Sequence, residues 1–178
     1  MAKVLYSAGI SLDGFMTGPG GDMSWLTPYL GPNPQVEALI PQIGSLLVGR
    51  RTFDGDDPHK GGEGEGKAFG GGWEGPQYVV THNPPDTTIT DVTFVDDFGS
   101  ALAQAKEAAG DKYVNVLGAG MGRQCLAAGQ LDEIFVGIAP VLLGDGVRFF
   151  DLGGGNVKLE RISQAELPLG TNLWFKIL

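Results

Sequence analysis

Ser45-Leu46-Leu47-Val48-Gly49-Arg50-Arg51-Thr52-Phe53 begins as a buried strand and breaks off into a glycine, two arginines and a threonine. A strand that opens this way places fixed positive charge and backbone N–H groups at its carboxyl end. In an open α/β sheet that edge is where ligands sit. The plain alternative is a strand followed by a solvated turn. Two further strand ends carry chemistry of the same kind and favour the ligand-binding reading. Gln77 to Asn83 is a strand that finishes in Thr81-His82-Asn83, stopped by Pro84-Pro85. Tyr113-Val114-Asn115-Val116-Leu117 runs straight into Gly118-Ala119-Gly120-Met121-Gly122.

The glycine segment has the composition of a phosphate cradle. Glycines allow the backbone to approach a diphosphate, and the following helix offers unpaired N–H groups and a partial positive charge. Its spacing is not the G-x-G-x-x-G fingerprint, and no acid stands about 20 positions on to grip a ribose. Taken together, Gly49-Arg50-Arg51-Thr52, Thr81-His82-Asn83 and Gly118 to Gly122 predict a site for an extended anion. A diphosphate would occupy its middle, and a further phosphate would lie near the arginines and His82. Guanidinium and hydroxyl donors suit a 2′-phosphate, so NADPH fits better than NADH.

The rest of the chain supplies a matching scaffold. Lys3 to Ile10 reads as a first strand, followed by the turn pair Asp13-Gly14. Gly18-Pro19-Gly20-Gly21-Asp22 is a loop closed by Met23-Ser24-Trp25-Leu26. The indole of Trp25 either caps a pocket or anchors the loop to the core. Pro34 to Ile43 has helical spacing, with Val36, Leu39, Ile40 and Ile43 on one face. Asp54 to Gly75, crowded with glycine, reads as a long loop without regular elements, either a flap by the site or surface slack. Val92 to Val95 is a short strand, Phe98 to Ala109 an amphipathic helix, and Arg123 to Ala128 a short helix. Leu131 to Ala139 is a strand, and Pro140 to Gly146 is a tight connection. Val157 to Ile162 and Leu173 to Ile177 alternate as terminal antiparallel strands, with Leu167 to Thr171 as a loop between them. Strands alternating with helices predict a three-layer α/β fold with a mainly parallel central sheet and antiparallel strands at the C-terminal end.

Composition excludes several classes. The length of 178 residues suits one domain, 1–178, with a sizeable core. No apolar run approaches the roughly 20 residues of a membrane helix, and Lys3 is followed by too short an apolar run for a signal peptide. A single cysteine, Cys125, excludes an internal disulfide and a cysteine-built zinc site and points to the cytoplasm. A net charge of −9 argues against nucleic-acid partners. It also makes each cation informative, because only 12 residues are Lys or Arg.

The order Ser11-Leu12-Asp13-Gly14, Gly49-Arg50-Arg51-Thr52, Leu117-Gly118-Ala119-Gly120-Met121 and Pro140-Val141-Leu142-Leu143-Gly144-Asp145-Gly146 resembles the dihydrofolate-reductase-like family. Within it, the nearer branch is the riboflavin-biosynthesis reductase domain, the C-terminal half of RibD, and its stand-alone members. The resemblance implies a dihydrofolate-reductase-like fold, NADPH as cofactor, hydride transfer to a small heterocyclic or carbonyl substrate, and a homodimer. That branch commonly carries a lysine on the first strand where this chain has Ser7. It has Glu-Gly-Gly where this chain has Leu117-Gly118-Ala119. The departures imply an activity similar to 5-amino-6-(5-phosphoribosylamino)uracil reductase but with a different substrate. The folate-reducing branch places a carboxylate soon after the loop tryptophan, whereas the first acid here is Glu37.

Few residues remain for catalysis. Asp13 either orients substrate or relays a proton, or it is a turn aspartate capping backbone N–H groups. Trp25 and Phe53 are the expected substrate neighbours, with core packing as the alternative for each. His59 and His82 are too isolated to suggest a metal site. A binding module that keeps the NADP(H) site without turnover is the competing function.

Overall fold

In the computed structural model, which describes all residues from Met1 to Leu178, ten strands and four helices alternate along the chain. The strands are β1 (Lys3–Ser11), β2 (Phe15–Thr17), β3 (Ile43–Gly49), β4 (Gln77–Val80), β5 (Val92–Val95), β6 (Tyr113–Leu117), β7 (Glu133–Ala139), β8 (Val147–Arg148), β9 (Leu159–Leu167) and β10 (Gly170–Ile177). The helices are α1 (Pro34–Leu39), α2 (Arg50–Phe53), α3 (Phe98–Ala109) and α4 (Ala119–Ala127). Eight strands form one sheet in the order β5-β4-β3-β6-β1-β7-β10-β9. The pairs from β5 to β7 are parallel, and β10 runs antiparallel to both β7 and β9. β2 and β8 make a separate antiparallel pair, over which the Arg148 guanidinium lies 4.6 Å from the centre of the Phe15 ring.

Period-two alternation divides the core between the two faces of the sheet. On one face Val4, Tyr6, Leu47, Val114 and Val116 pack under α3 and α4 through Ala101, Leu102, Ala105, Met121 and Cys125. On the other, Leu5, Leu46, Val48, Val79 and Phe135 pack under Leu39 of α1 and under Trp73. The three layers and the sheet polarity agree with the sequence reading. No helix is long and apolar enough to cross a membrane.

Several element boundaries differ from the sequence reading: the strand read over Gln77 to Asn83 ends at Val80, the one read from Leu131 starts at Glu133, and Arg50–Phe53 forms a single helical turn. The helix expected over 34–43 ends at Leu39, because Pro41 has no N–H to continue it. A 3-10 turn over Ile40–Gln42 follows, and Ile43 already belongs to β3. α4 starts at Ala119 rather than Arg123, entered through Gly118 at φ 101°, so Gly120 and Gly122 lie inside the helix. The terminal strands are longer than the apolar alternation suggested. Leu167 pairs with Gly170, which leaves only a two-residue turn between β9 and β10. The glycine-rich 54–75 segment holds one 3-10 turn, Ala68–Gly71, and is pinned by Trp73, whose buried Nε1 donates to Ile43 O at 3.1 Å.

Gly122 is the tightest contact between α4 and the sheet. A Cβ built on it would fall 2.4 Å from Cε1 of Tyr6, whereas one on Gly120 would meet nothing within 4 Å. Gly122→Ala is therefore expected to lose about 1–2 kcal/mol, the overpacking cost exceeding the gain in helix propensity. Gly120→Ala is expected to leave stability unchanged or slightly raised. Urea unfolding of the two variants checks the contrast.

Candidate functional site

A cleft of about 1650 Å³ opens along the carboxyl ends of the parallel strands. Single-ligand pockets occupy roughly 300–1,000 Å³, so this one has room for two molecules side by side. Its two ends differ in chemistry.

At the β3–β6 end, Gly49 leads into the single turn of α2, and Gly118 leads into α4. The two connections touch: a Cβ on Gly118 would lie 2.3 Å from Thr52 Oγ1, so only glycine lets the hydroxyl reach this backbone. The N–H groups of Ala119, Gly120 and Met121 have no acceptor within the helix, and the side of Gly120 is open. Met121 is buried and packs toward Gly49.

The two arginines here are not equivalent. Arg50 pairs with Asp54, donates from Nη1 to Asn83 O at 3.2 Å and lies 5.6 Å from the centre of the Phe94 ring. Arg51 lines the same cleft, is exposed, and forms no ion pair. The structure thus joins Arg50 to Asn83. Thr81 and His82 line a separate hollow of about 360 Å³, with Phe94, Asp96 and Gln104. Thr81 Oγ1 accepts from Asn83 N at 3.1 Å, which holds the turn after β4 against Arg50.

At the other end the floor is Ser7 and Gly9 of β1, Gly137 of β7 and Asn172 of β10, with Leu26 above Gly9. Asn33, which caps α1 by accepting from Val36 N at 3.2 Å, exchanges hydrogen bonds with Asn172 at 2.7 and 3.4 Å. That pair ties α1 to the antiparallel edge of the sheet. Two loops meet across the mouth: Met23 N donates to Asp56 Oδ2 at 3.1 Å, and Thr27 Oγ1 to Pro58 O at 2.8 Å.

Three residues read as catalytic or substrate-facing have other partners. Asp13 stands outside the cleft. Its carboxylate accepts from Ser11 Oγ at 2.6 Å, Leu143 N at 3.0 Å and Gly144 N at 2.7 Å, which corrects the proton-relay expectation. Those donors hold its pKa down to about 2 from the usual 3.8, so it is ionised at neutral pH and has no proton to give. Trp25 also lies off the cleft lining, and its Nε1 donates to Met16 O at 3.2 Å, anchoring the loop to β2. Phe53 does line the cleft, while its ring packs edge-on against Phe94 at 5.6 Å. Gly122 is a packing glycine against Tyr6 rather than part of a cradle. Burial pushes the Cys125 thiol up to about 12, which leaves it unreactive.

The polar floor escaped the sequence reading. Asn172 lies between the expected loop, Leu167 to Thr171, and the expected strand from Leu173, and it belongs to β10; as an amide two positions before the inward Trp174 it is the available signal. Asn33 before Pro34 was a readable N-cap.

The family model of the RibD C-terminal domain matches residues 2–171. A protein from Shewanella sp. PV-4, provisionally assigned to riboflavin biosynthesis, superposes with a TM-score of 0.76 at 21% identity, over 100% of this chain and 99% of that one. The diaminohydroxyphosphoribosylaminopyrimidine deaminase/5-amino-6-(5-phosphoribosylamino)uracil reductase of Thermotoga maritima gives 0.69 at 17% identity, over 99% of this chain and 57% of its own. Dihydrofolate reductase from Enterococcus faecalis, complexed with NADP(H) and RAB-propyl, gives 0.64 at 14% identity, over 98% of this chain and 96% of that one. No curated protein sequence matches significantly. The structural likenesses establish a dihydrofolate-reductase-like fold.

Because Asp13 has a depressed pKa, its contribution to stability is present above the unfolded value near 3.8 and is lost as pH falls through about 2. Asp13→Asn is expected to lower the melting temperature at pH 7. The deficit should shrink between pH 4 and pH 2, as read by calorimetry across that range.

Proposed function

The chain belongs to the RibD C-terminal domain family, and on that premise we propose that it is an NADPH-dependent reductase of a small heterocyclic or carbonyl substrate. The observation that carries the reading is the β3–β6 end of the cleft. There the side of Gly120 meets open space, the N-terminus of α4 offers its free N–H groups beside it, and Arg51 stands without an acidic partner. In a protein of net charge −9, such a concentration of donors suits the diphosphate and 2′-phosphate of the cofactor. Gly118, Ala119, Gly120 and Met121 would hold the diphosphate. Thr52 and Arg51 would take the 2′-phosphate, with Arg50 and Asn83 behind them.

NADPH, when bound, supplies a hydride. The protein's part is to hold two rings against each other and to keep water out. The bonds Met23–Asp56 and Thr27–Pro58 fasten the two loops over the cleft for the second task. Ser7, Asn33 and Asn172 bring no ionisable side chain to the β1–β7–β10 end of the cleft. Such an enzyme works as a soluble cytoplasmic homodimer. The outer edge of β9 is unpaired, and Leu159 and Ile162 are exposed on it beside Val157, which supports pairing with a second copy.

NADPH is expected to bind at least tenfold more tightly than NADH, about 1.4 kcal/mol, in a calorimetric titration. Arg51→Ala should erode that preference more than Arg50→Ala, because Arg50 is already paired with Asp54. Gly120→Val should abolish nucleotide binding with a normal unfolding transition. Equal affinities for the two nucleotides would remove the 2′-phosphate assignment.

Light scattering is expected to return twice the chain mass of 18.7 kDa. A concentration-independent monomer would refute the dimer.

A further inference from the structure

The glycine-rich 54–75 segment is packed onto itself. A Cβ on Gly64 would fall 2.2 Å from Gly70 O, and one on Gly70 would fall 2.7 Å from Cε1 of His59. The missing side chains therefore let the segment close and bring the His59 ring against its backbone. Asp57 fastens the fold, its carboxylate accepting from His59 N at 2.8 Å and from Gly66 N. The hydrogen bonds of His59 fall on its backbone, because its carbonyl in turn accepts from Gly62 N at 2.9 Å. Its imidazole is held by contact with Gly70 and lines the cleft.

The segment is braced beside the β1–β7–β10 end. Pro58, the residue before His59, accepts at its carbonyl from Thr27 Oγ1 at 2.8 Å. Thr27 belongs to the 3-10 turn Ser24–Tyr29, whose Leu26 lies 3.1 Å from where a Cβ on Gly9 would stand. His59 thus follows directly on the point where the segment is tied to the roof of that end.

Among the ionisable groups that line the cleft, His59 is the one imidazole. The aspartates there are engaged: Asp22 accepts from Ser24, Asp54 from Arg50, Asp56 from Met23 N, and Asp57 as above. Aspartates have no proton to give at neutral pH, and lysine, arginine and tyrosine hold theirs too tightly. An imidazole changes charge between pH 5 and 8, where a general acid is effective. Its own segment carries Asp56, Asp57, Glu63 and Glu65 against Lys60 and Lys67, and the 3-10 turn bonded to it adds only the Tyr29 phenol.

We infer that His59 is the proton donor of the reduction, its imidazolium hydrogen-bonding the oxygen or nitrogen of the substrate's C=O or C=N group. The inference rests on the reductase reading, which supplies the hydride. As NADPH is oxidised to NADP+, the substrate carbon gains the hydride with its electron pair. The π pair of the double bond moves onto the oxygen or nitrogen, and that atom takes the proton from His59. The broken N–H bond leaves a neutral imidazole, which solvent reprotonates. The glycines at 64 and 70 then serve to place this ring.

The test uses N-methylisatin, a ketone that is neutral from pH 6 to 8, with the full-length protein. Titrated calorimetrically with NADP+ present, the probe is expected to bind roughly fivefold more tightly at pH 6 than at pH 8, with uptake of a proton. His59→Gln should abolish that pH dependence and leave NADP+ affinity within twofold of wild type. With NADPH, kcat should fall as pH rises from 6 to 8. His59→Gln should lower kcat about hundredfold at pH 6 and flatten the profile. Gly70→Ala, whose Cβ displaces the ring, should cost about tenfold. A probe affinity that does not change with pH overturns the inference, as does a His59→Gln variant with wild-type kcat and profile. Failure of the probe to bind at millimolar concentration also overturns it. A His59-dependent pH response of binding without any oxidation of NADPH would instead refute the reductase reading and leave His59 as the proton-donating contact of the cleft.

Discussion

Helix α4 begins where it does because Gly122 has no side chain. With the Tyr6 ring pressed against that position, the helix axis is fixed on the sheet, and its first turn projects past the end of β6. Gly118, in a backbone conformation that a side chain rarely adopts, makes the turn into the helix and brings Thr52 onto it. The free N–H groups of α4 and the hydroxyl after β3 are therefore positioned by two close approaches, not by long-range electrostatics. A larger residue at either glycine would move the donors before it changed their number. Tyr6 is itself held by Met16 and Phe149, so the anchor for the anion end of the cleft reaches back into the core.

From that end the cleft crosses four strand spacings, about 19 Å at 4.8 Å each, to β10. Over this distance its lining changes from charged to neutral side chains. The change follows from the topology. β3 and β6 end in loops that carry Arg50, Arg51 and the start of α4, whereas β1 and β7 pass under the cleft as strands with small residues facing it. β10 runs antiparallel to its neighbours, so Asn172 near its start lies level with Gly9 and Gly137 near the ends of theirs. A polar residue close to the beginning of the chain's last strand thereby joins a site otherwise made from strand carboxyl ends.

Much of the scaffold was legible because it depends on periodicity and punctuation. The apolar runs at 45–48 and 113–117 are central strands, and the stop at Gly110 marks a real end, whereas the strand read up to Asn83 ends at Val80. The arginine turn and the glycine segment do face one cleft. What was not legible depends on long-range packing. Arg123 seemed to open the helix because Gly120 and Gly122 are poor helix formers, yet packing against Tyr6 requires one of them inside it. The strand at 159–167 is polar over much of its length and is held by its ladder to β10, which no local pattern announces. The exchange between Asn33 and Asn172 spans 139 residues and leaves no mark on either neighbourhood.

The residues that carry the family likeness and those that face the proposed substrate are largely different residues, and the reason is physical. In Ser11-Leu12-Asp13-Gly14 and Pro140 to Gly146, Asp13 accepts from Leu143 N and Gly144 N, Ser11 Oγ accepts from Phe15 N, and Leu12 N donates to Val141 O. These bonds clamp the turn after β1 to the loop after β7, and that fastening keeps two neighbouring strands in register where the cleft begins. Backbone geometry of this kind tolerates few alternatives, because each N–H must meet an acceptor at a fixed place. The cleft floor is under no such constraint. Ser7 could be exchanged for another side chain without breaking any hydrogen bond within the protein, so its identity reflects what lies against it. A motif can therefore place this chain in its family while saying little about its substrate, and the information on substrate resides in the unpaired groups that the motif leaves facing the cleft.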